Sequence, residues 1–179
     1  AEVWGVDAGE MNMNTVHPMY MGQTGHMFGK SSLPITQKGD VNLICGTYML
    51  PEVFPELGNI YREDAKIIHI DLNDYEIAKN HRVDIGVVSD PKLTLEALVK
   101  VLEKEMSGEQ NKAAAVRFEG IEKSKEQSVM SVDEPNLMQG FMEELSRHVP
   151  EDVIVFDEAL TSSPILTRYL PPKYAEHFF

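Results

Sequence analysis

Apolar and β-branched residues gather into three short runs in the first half of the chain. Val41-Asn42-Leu43-Ile44-Cys45-Gly46 ends on glycine, Lys66-Ile67-Ile68-His69-Ile70-Asp71-Leu72 is nearly continuous, and Val83-Asp84-Ile85-Gly86-Val87-Val88 is the third. Near-continuous runs of this length predict strands buried on both faces, as in a parallel sheet. Pro51 to Tyr61 leaves room for a helix between the first two. Asp74 to Asn80 predicts a short helix, with acidic residues early and Lys79 late to suit the helix dipole. After the third run, Asp90 is placed to cap a helix and Pro91 to open it, where a missing N–H costs nothing. Leu95, Leu98, Val99, Leu102 and Met106 follow at helical spacing. Strands alternating with helices predict an α/β fold: a doubly wound, mostly parallel sheet with right-handed crossovers.

The texture changes between Glu103 and Glu134, where charged and small residues dominate. This predicts a solvated helix or an interdomain linker. Pro135 then opens an amphipathic helix with Leu137, Met138, Phe141, Met142 and Leu145 on one face, ending near His148-Val149-Pro150. Val153-Ile154-Val155-Phe156 predicts a fourth buried strand. The expected division is a domain over 1–105, a linker over 106–134, and the beginning of a second α/β domain over 135–179. That last part is too small to build a core alone. Residues 1–40 are rich in Gly, Met, Asn and His and weakly periodic, and there is no internal repeat.

Charge narrows the function. The 179 residues carry 16 Lys+Arg against 29 Asp+Glu, a net charge of −13. That field argues against binding nucleic acid or an anionic membrane. The hydrophobic fraction of 42% suffices for a core. A single cysteine, Cys45, excludes an intramolecular disulfide framework and a thiolate metal cluster. No apolar run approaches the roughly 20 residues of a membrane span, and no basic start precedes an apolar stretch as in a secretory signal. The expectation is a soluble, cytoplasmic protein. The chain opens on Ala1 without an initiator Met and closes on Phe178-Phe179, from which a piece of a larger protein is expected.

Candidate chemistry lies where ligands bind in open α/β sheets, beyond the carboxyl ends of strands. Gly46 would let a ligand or a helix approach the backbone. Asp71 stands where an acidic residue can hold a ribose hydroxyl. Ser89-Asp90 leads into a helix N-terminus, which favours anions. The alternative is that Gly46 is a turn and Asp71 and Asp90 are helix caps. There is no GxGxxG fingerprint and no P-loop. His17, beside Pro18 in a Gly-rich loop, could serve as a general acid or simply bond the backbone. The other histidines show no metal-ligand spacing. Asp157-Glu158-Ala159-Leu160-Thr161-Ser162-Ser163 could present hydroxyls and amides to phosphate, or form an ordinary helix cap.

Ala65-Lys66-Ile67-Ile68-His69-Ile70-Asp71-Leu72-Asn73-Asp74-Tyr75-Glu76-Ile77-Ala78-Lys79-Asn80 closely resembles the central-domain signature of thiamine diphosphate-dependent enzymes. That group includes acetolactate synthase, benzoylformate decarboxylase and oxalyl-CoA decarboxylase. Further stretches agree in order. His17-Pro18-Met19-Tyr20-Met21-Gly22 resembles their H-P-x-x-x-G loop, and Asp40 to Gly46 their strand ending in Gly. Asp84 to Asp90 resembles the strand before the last central-domain helix, with Ser89 where Gly is common. Val153 to Ser163 resembles the opening of the diphosphate-binding domain.

The resemblance implies a Rossmann-like central domain, its first strand truncated, plus the start of the diphosphate-binding domain. It implies thiamine diphosphate and Mg²⁺ as the parent enzyme's cofactors. The pyrimidine-binding domain with its activating Glu, and the GDG…N motif that binds Mg²⁺ and diphosphate, lie outside this sequence. The chain alone is therefore expected to be inactive. By resemblance His17 corresponds to a proton-relaying His of benzoylformate decarboxylase-like members. Glu158, Leu160, Thr161 and Ser162 match the diphosphate loop, with Thr161 foremost. Some central domains bind FAD or ADP through a G-A-R turn and the Asp of the I-H-I-D strand. Gly46, Asp71 and Asp90 mark that site here, but Gly46-Thr47-Tyr48 replaces G-A-R and removes a phosphate partner.

The function expected is that of a fragment of a 2-keto acid decarboxylase or carboligase. In such an enzyme the cofactor is the electron sink as carbon dioxide leaves. The expected partners are the remaining domains of the same enzyme, a homodimeric or homotetrameric assembly, and a small 2-keto acid. The alternative is a stand-alone α/β module that binds FAD, ADP or NAD.

Overall fold

The computed structural model describes residues 1–6, 13–24, 29–47, 57–130, 137–159, 162–174 and 176–179, the side chains of 126–130 and 164 excepted. These residues form two compact units, one of residues 23–111 and the other of residues 1–22 with 112–179.

The first of these units is built on a three-stranded parallel sheet. Strands β3 (Val41–Cys45), β4 (Lys66–Asp71) and β5 (Ile85–Val88) lie in that order. Val41 pairs with Lys66 and Cys45 with Ile70, while Ile68 pairs with Ile85 and Asp71 with Val88. All three strands therefore end at the same edge. Ile44, Ile67 and Ile70 are buried in the sheet, with Ile60, Tyr61 and Ala65 packed beside them. A short helix, α1 (Leu33–Thr36), follows a 3₁₀ turn at Lys30–Ser32. Thr36 is buried, and its hydroxyl donates to the Ile60 carbonyl at 2.5 Å.

Helix α2 (Pro91–Glu105) begins as the sequence predicts. Asp90 Oδ1 accepts from the Leu93 amide at 2.9 Å, and Pro91 occupies the first turn. Its apolar side chains are less covered than their spacing predicts. Leu98, Val99 and Leu102 are exposed, as are Ile85 and Val88 on β5.

Two predicted elements differ. Asp74 to Asn80 forms successive turns instead of a helix. Asp71 Oδ1 takes the Asn73 amide at 2.8 Å and Asn73 Oδ1 takes the Tyr75 amide at 3.2 Å. These side chains capture donors that a helix would use, and Ala78 adopts a left-handed φ of 59° that no helix accommodates. The third strand is also shorter than its apolar run. It starts at Ile85, and the preceding Asp84 bonds β4 with its amide on the Ile67 carbonyl at 2.8 Å and its Oδ2 accepting from the Ile67 amide at 2.9 Å.

The second unit contains β1 (Val3–Gly5), nearly all of its pairing partner β2 (Tyr20–Gln23), most of the helix α3 (Gly108–Met130), and the helices α4 (Leu137–His148) and α5 (Ser163–Tyr169). The predicted strand at 153–156 is reduced to a single parallel bridge, Val155 with Phe178. Three backbone bonds support it: Val155 N to His177 O, Phe179 N to Val155 O and Asp157 N to Phe179 O. Ile154 and Phe156 are exposed, so this segment is not buried on both faces. Phe156 stacks on Phe179 with ring centroids 5.2 Å apart. In α4 the predicted apolar face is only partly used. Leu137 and Phe141 are exposed, while Gln139 is buried. The predicted opening at Pro135 and the stretch from 51 to 56 lie outside the described residues.

Candidate functional site

The carboxyl edge of the three-stranded sheet brings together Gly46, Asp71, Ser89 and Asp90. Parallel register does this directly, because β3, β4 and β5 end on adjacent ladder positions. The ladder even runs one step further: Gly46 N donates to Ile70 O, and Ser89 N to Asp71 O, each at 2.9 Å. Gly46 has a φ of +63°, where a side chain is strained, and a Cβ there would lie 3.6 Å from the Pro91 ring. His69, buried in the middle of β4, holds the next residue with Nε2 2.9 Å from the Thr47 carbonyl oxygen. Sequence reasoning passed over His69; its alternation with Ile67 and Asp71 along β4 was the available signal.

The polar groups at this edge are already engaged. Asp71 closes an Asx turn on Asn73, Asp90 caps α2, and the Ser89 and Thr94 hydroxyls lie 2.7 Å apart. Glycine as a turn and Asp90 as a helix cap are thus observed, whereas Asp71 caps no helix and closes a turn instead.

His17 lies elsewhere, in the second compact unit, on an exposed turn. Its Nδ1 accepts from the Met19 amide at 3.1 Å, and its carbonyl accepts from the Tyr20 amide at 3.0 Å. An accepting Nδ1 puts the proton of the neutral ring on Nε2, the nitrogen facing away from this bond.

The described part of the predicted diphosphate loop is also turned in on itself. The Ser162 and Ser163 amides donate to Ala159 O at 2.7 and 2.8 Å, and the Ser163 hydroxyl donates to the same carbonyl. Asp157 Oδ1 in turn accepts from the Ala159 amide at 2.9 Å. Glu158 is exposed, while Leu160 and Thr161 lie outside the described residues. No group of three or more His, Cys, Asp or Glu among the described residues could hold a metal ion. A Mg²⁺–diphosphate complex needs oxygen ligands for the metal and free donors for the phosphates. The described residues of this loop do not fit that requirement.

A separate cavity of about 10 Å³ lies beside the sheet, lined by Ile44, Tyr61, His69, His81 and the turn 76–80. Tyr61 is buried, with no hydrogen-bond partner for its hydroxyl among the described residues, and burial pushes its pKa up. The Tyr61 and His81 rings meet edge to face, with centroids 5.7 Å apart.

The sequence model described as "Thiamine pyrophosphate enzyme, central domain" matches residues 6–98, just over half of the chain. The chain belongs to this family. The thiamine pyrophosphate enzyme domain is similar to sulfoacetaldehyde acetyltransferase of Roseovarius nubinhibens, 31% identical over 88 residues that make up 48% of this chain and 15% of the relative. It is likewise similar to acetolactate synthase of Mycobacterium avium, 29% identical over 86 residues, or 48% of this chain and 14% of the relative. Among solved structures, benzoylformate decarboxylase from Polynucleobacter necessarius superposes with a TM-score of 0.67 at 16% identity, over 100% of this chain and 32% of the other. That likeness concerns the fold. The matched segment thus spans about a seventh of the length of these curated relatives, and the chain a third of the solved one. The family is one of thiamine diphosphate-dependent enzymes, as the 65–80 signature implies. No helix among the described residues is long and apolar enough to cross a membrane.

Proposed function

We propose that this chain is the central domain, over 1–105, and the opening of the diphosphate-binding domain, over 135–179, of a thiamine diphosphate-dependent 2-keto acid decarboxylase or carboligase. The observation that carries the reading is the central-domain match over 6–98, which includes all three strands of the parallel sheet. The names of the relatives, an acetyltransferase and a synthase, fit chemistry at a keto carbon.

In this reading the central domain is mainly a scaffold. Its sheet-edge polar groups are spent on caps and turns, which disfavours a stand-alone nucleotide-binding module. His17 is the one predicted catalytic residue among those described, and the neutral ring presents Nε2–H for proton donation. Mg²⁺ and the cofactor diphosphate would be held by residues outside the described loop, so the chain alone is inactive. The full-length protein would work as a homo-oligomer in the cytoplasm.

The decisive experiment is an assay of the full-length gene product for thiamine diphosphate- and Mg²⁺-dependent carbon dioxide release from a panel of 2-keto acids. Within it, His17→Ala should lower turnover by more than about tenfold, the scale of general acid–base catalysis. Unchanged kinetics would remove His17 from the chemistry. Calorimetric titration of this chain with FAD, ADP and NAD should be silent; tight binding would favour the nucleotide module.

A further inference from the structure

The turn that carries His17 is tied to two distant parts of its own compact unit. Thr15 donates from both its amide and its hydroxyl to the Pro172 carbonyl, at 3.2 and 2.7 Å. On the other side, the ammonium of Lys125 on α3 donates to the carbonyls of His17, at 3.3 Å, and of Tyr20. These contacts join residues more than a hundred positions apart.

We infer that Lys125 is the positioning residue of the His17 turn. The two carbonyls it takes are the ones that bracket the turn. His17 O already closes the turn by accepting from the Tyr20 amide, so the ammonium shares that acceptor and adds a second at Tyr20. A compact ammonium with rotatable N–H groups can serve two carbonyls that point along different lines. Charge-assisted bonds of this kind are stronger than the turn's own neutral ones. The group is partly buried, and desolvation holds its pKa below the ordinary lysine value.

The geometry reaches His17's ring through one further bond. With the turn fixed, the Met19 amide stays on Nδ1, and Nε2 keeps the proton of the neutral imidazole. Without the clamp, the Met19 contact would be left to the Thr15 tie and the turn's own neutral bonds, which open more readily. Lys125 therefore acts on the imidazole from α3 without touching the ring. Any effect on turnover rests on the catalytic reading of His17, whereas the clamp itself does not.

The test is hydrogen–deuterium exchange by mass spectrometry on the full-length protein, comparing wild type, Lys125→Met, Lys125→Gln and Lys125→Arg. In the peptide covering residues 13–22, both uncharged variants should exchange roughly tenfold or more faster, the scale of losing charge-assisted hydrogen bonds. Lys125→Arg should restore most of the protection, because a cation with several donors is retained. Wild-type protection in Lys125→Met and Lys125→Gln would overturn the inference. So would a rise extending equally to the peptide covering 66–71, which would mean general destabilisation. Turnover of His17→Ala separates the two claims. If it is unchanged while Lys125→Met still loosens 13–22, the clamp stands and the catalytic reading of His17 fails.

Discussion

Gly46 and Gly86 each disfavour a methyl group, for different reasons. Gly46 needs a left-handed φ of +63°, so Gly46→Ala should cost about 1–2 kcal/mol by backbone strain alone. Gly86 has an ordinary φ, but a Cβ there would lie 2.8 Å from the Ile77 methyl. Gly86→Ala should then cost about 1–3 kcal/mol as overpacking. Denaturant titration of each variant in the full-length protein checks both values. Tyr61 tests the opposite sign. An unpaired buried hydroxyl is destabilising by about 1–3 kcal/mol, so Tyr61→Phe should hold or raise the melting temperature. A clear drop would mean that the hydroxyl has a partner such as bound water. Of these residues only Gly46 was legible in the sequence, because a glycine closing an apolar run is itself a signal. The contacts of Gly86 and Tyr61 arise where the 74–81 turns fold back over the sheet, which no local pattern encodes.

The three parallel strands were readable as elements because β-branched runs bounded by Gly, Asp and Asn have few alternatives. At 74–80 the sequence predicts a helix although turns form, because acidic-early, basic-late charge order suits both. Asx bonding from Asp71 and Asn73 decided between them. The apolar run at 153–156 overstates the strand's extent, since its pairing depends on a segment more than twenty residues later. At this scale β4 and β5 are joined by Asp84 as well as by their ladder. Its carboxylate accepts from the Ile67 amide and pairs with Lys66 at 3.0 Å, which together hold its pKa below the usual carboxylate value. A lowered folded pKa means that this contribution is complete above the unfolded value of about 4 and is lost as pH falls through the folded one. The melting-temperature difference between wild type and Asp84→Asn should therefore be present at pH 6 and shrink as the solution is acidified below about pH 4. A difference that grew on acidification would contradict this.

For the whole molecule, the most telling observation is how little of the predicted apolar surface is covered. Leu98, Val99 and Leu102 on α2, Ile85 and Val88 on β5, and Leu137 and Phe141 on α4 are all exposed. Hydrophobic periodicity predicts which residues want burial; it cannot say whether the partner surface belongs to the same segment. Parallel sheets are ordinarily covered on both faces, so these residues are expected to pack against the rest of the full-length enzyme. Residues 1–179 produced alone should bind a hydrophobic dye and elute from a sizing column ahead of a 20.2 kDa monomer. The full-length protein should show no comparable dye binding per chain.

The two units also differ in when they can be completed during synthesis. Residues 23–111 form a continuous stretch, so its parallel sheet can assemble as soon as that stretch leaves the ribosome. The other unit joins residues 1–22 to 112–179, and its His17 turn has no ammonium to hold it until Lys125 emerges. At about 5–20 residues per second, that wait is roughly 5–20 s. Once residues 23–111 are made, the 1–22 stretch still waits for the residues from 112 onward, Lys125 among them. The unit that holds the earlier-made stretch 1–22 is thus the later of the two to be completed.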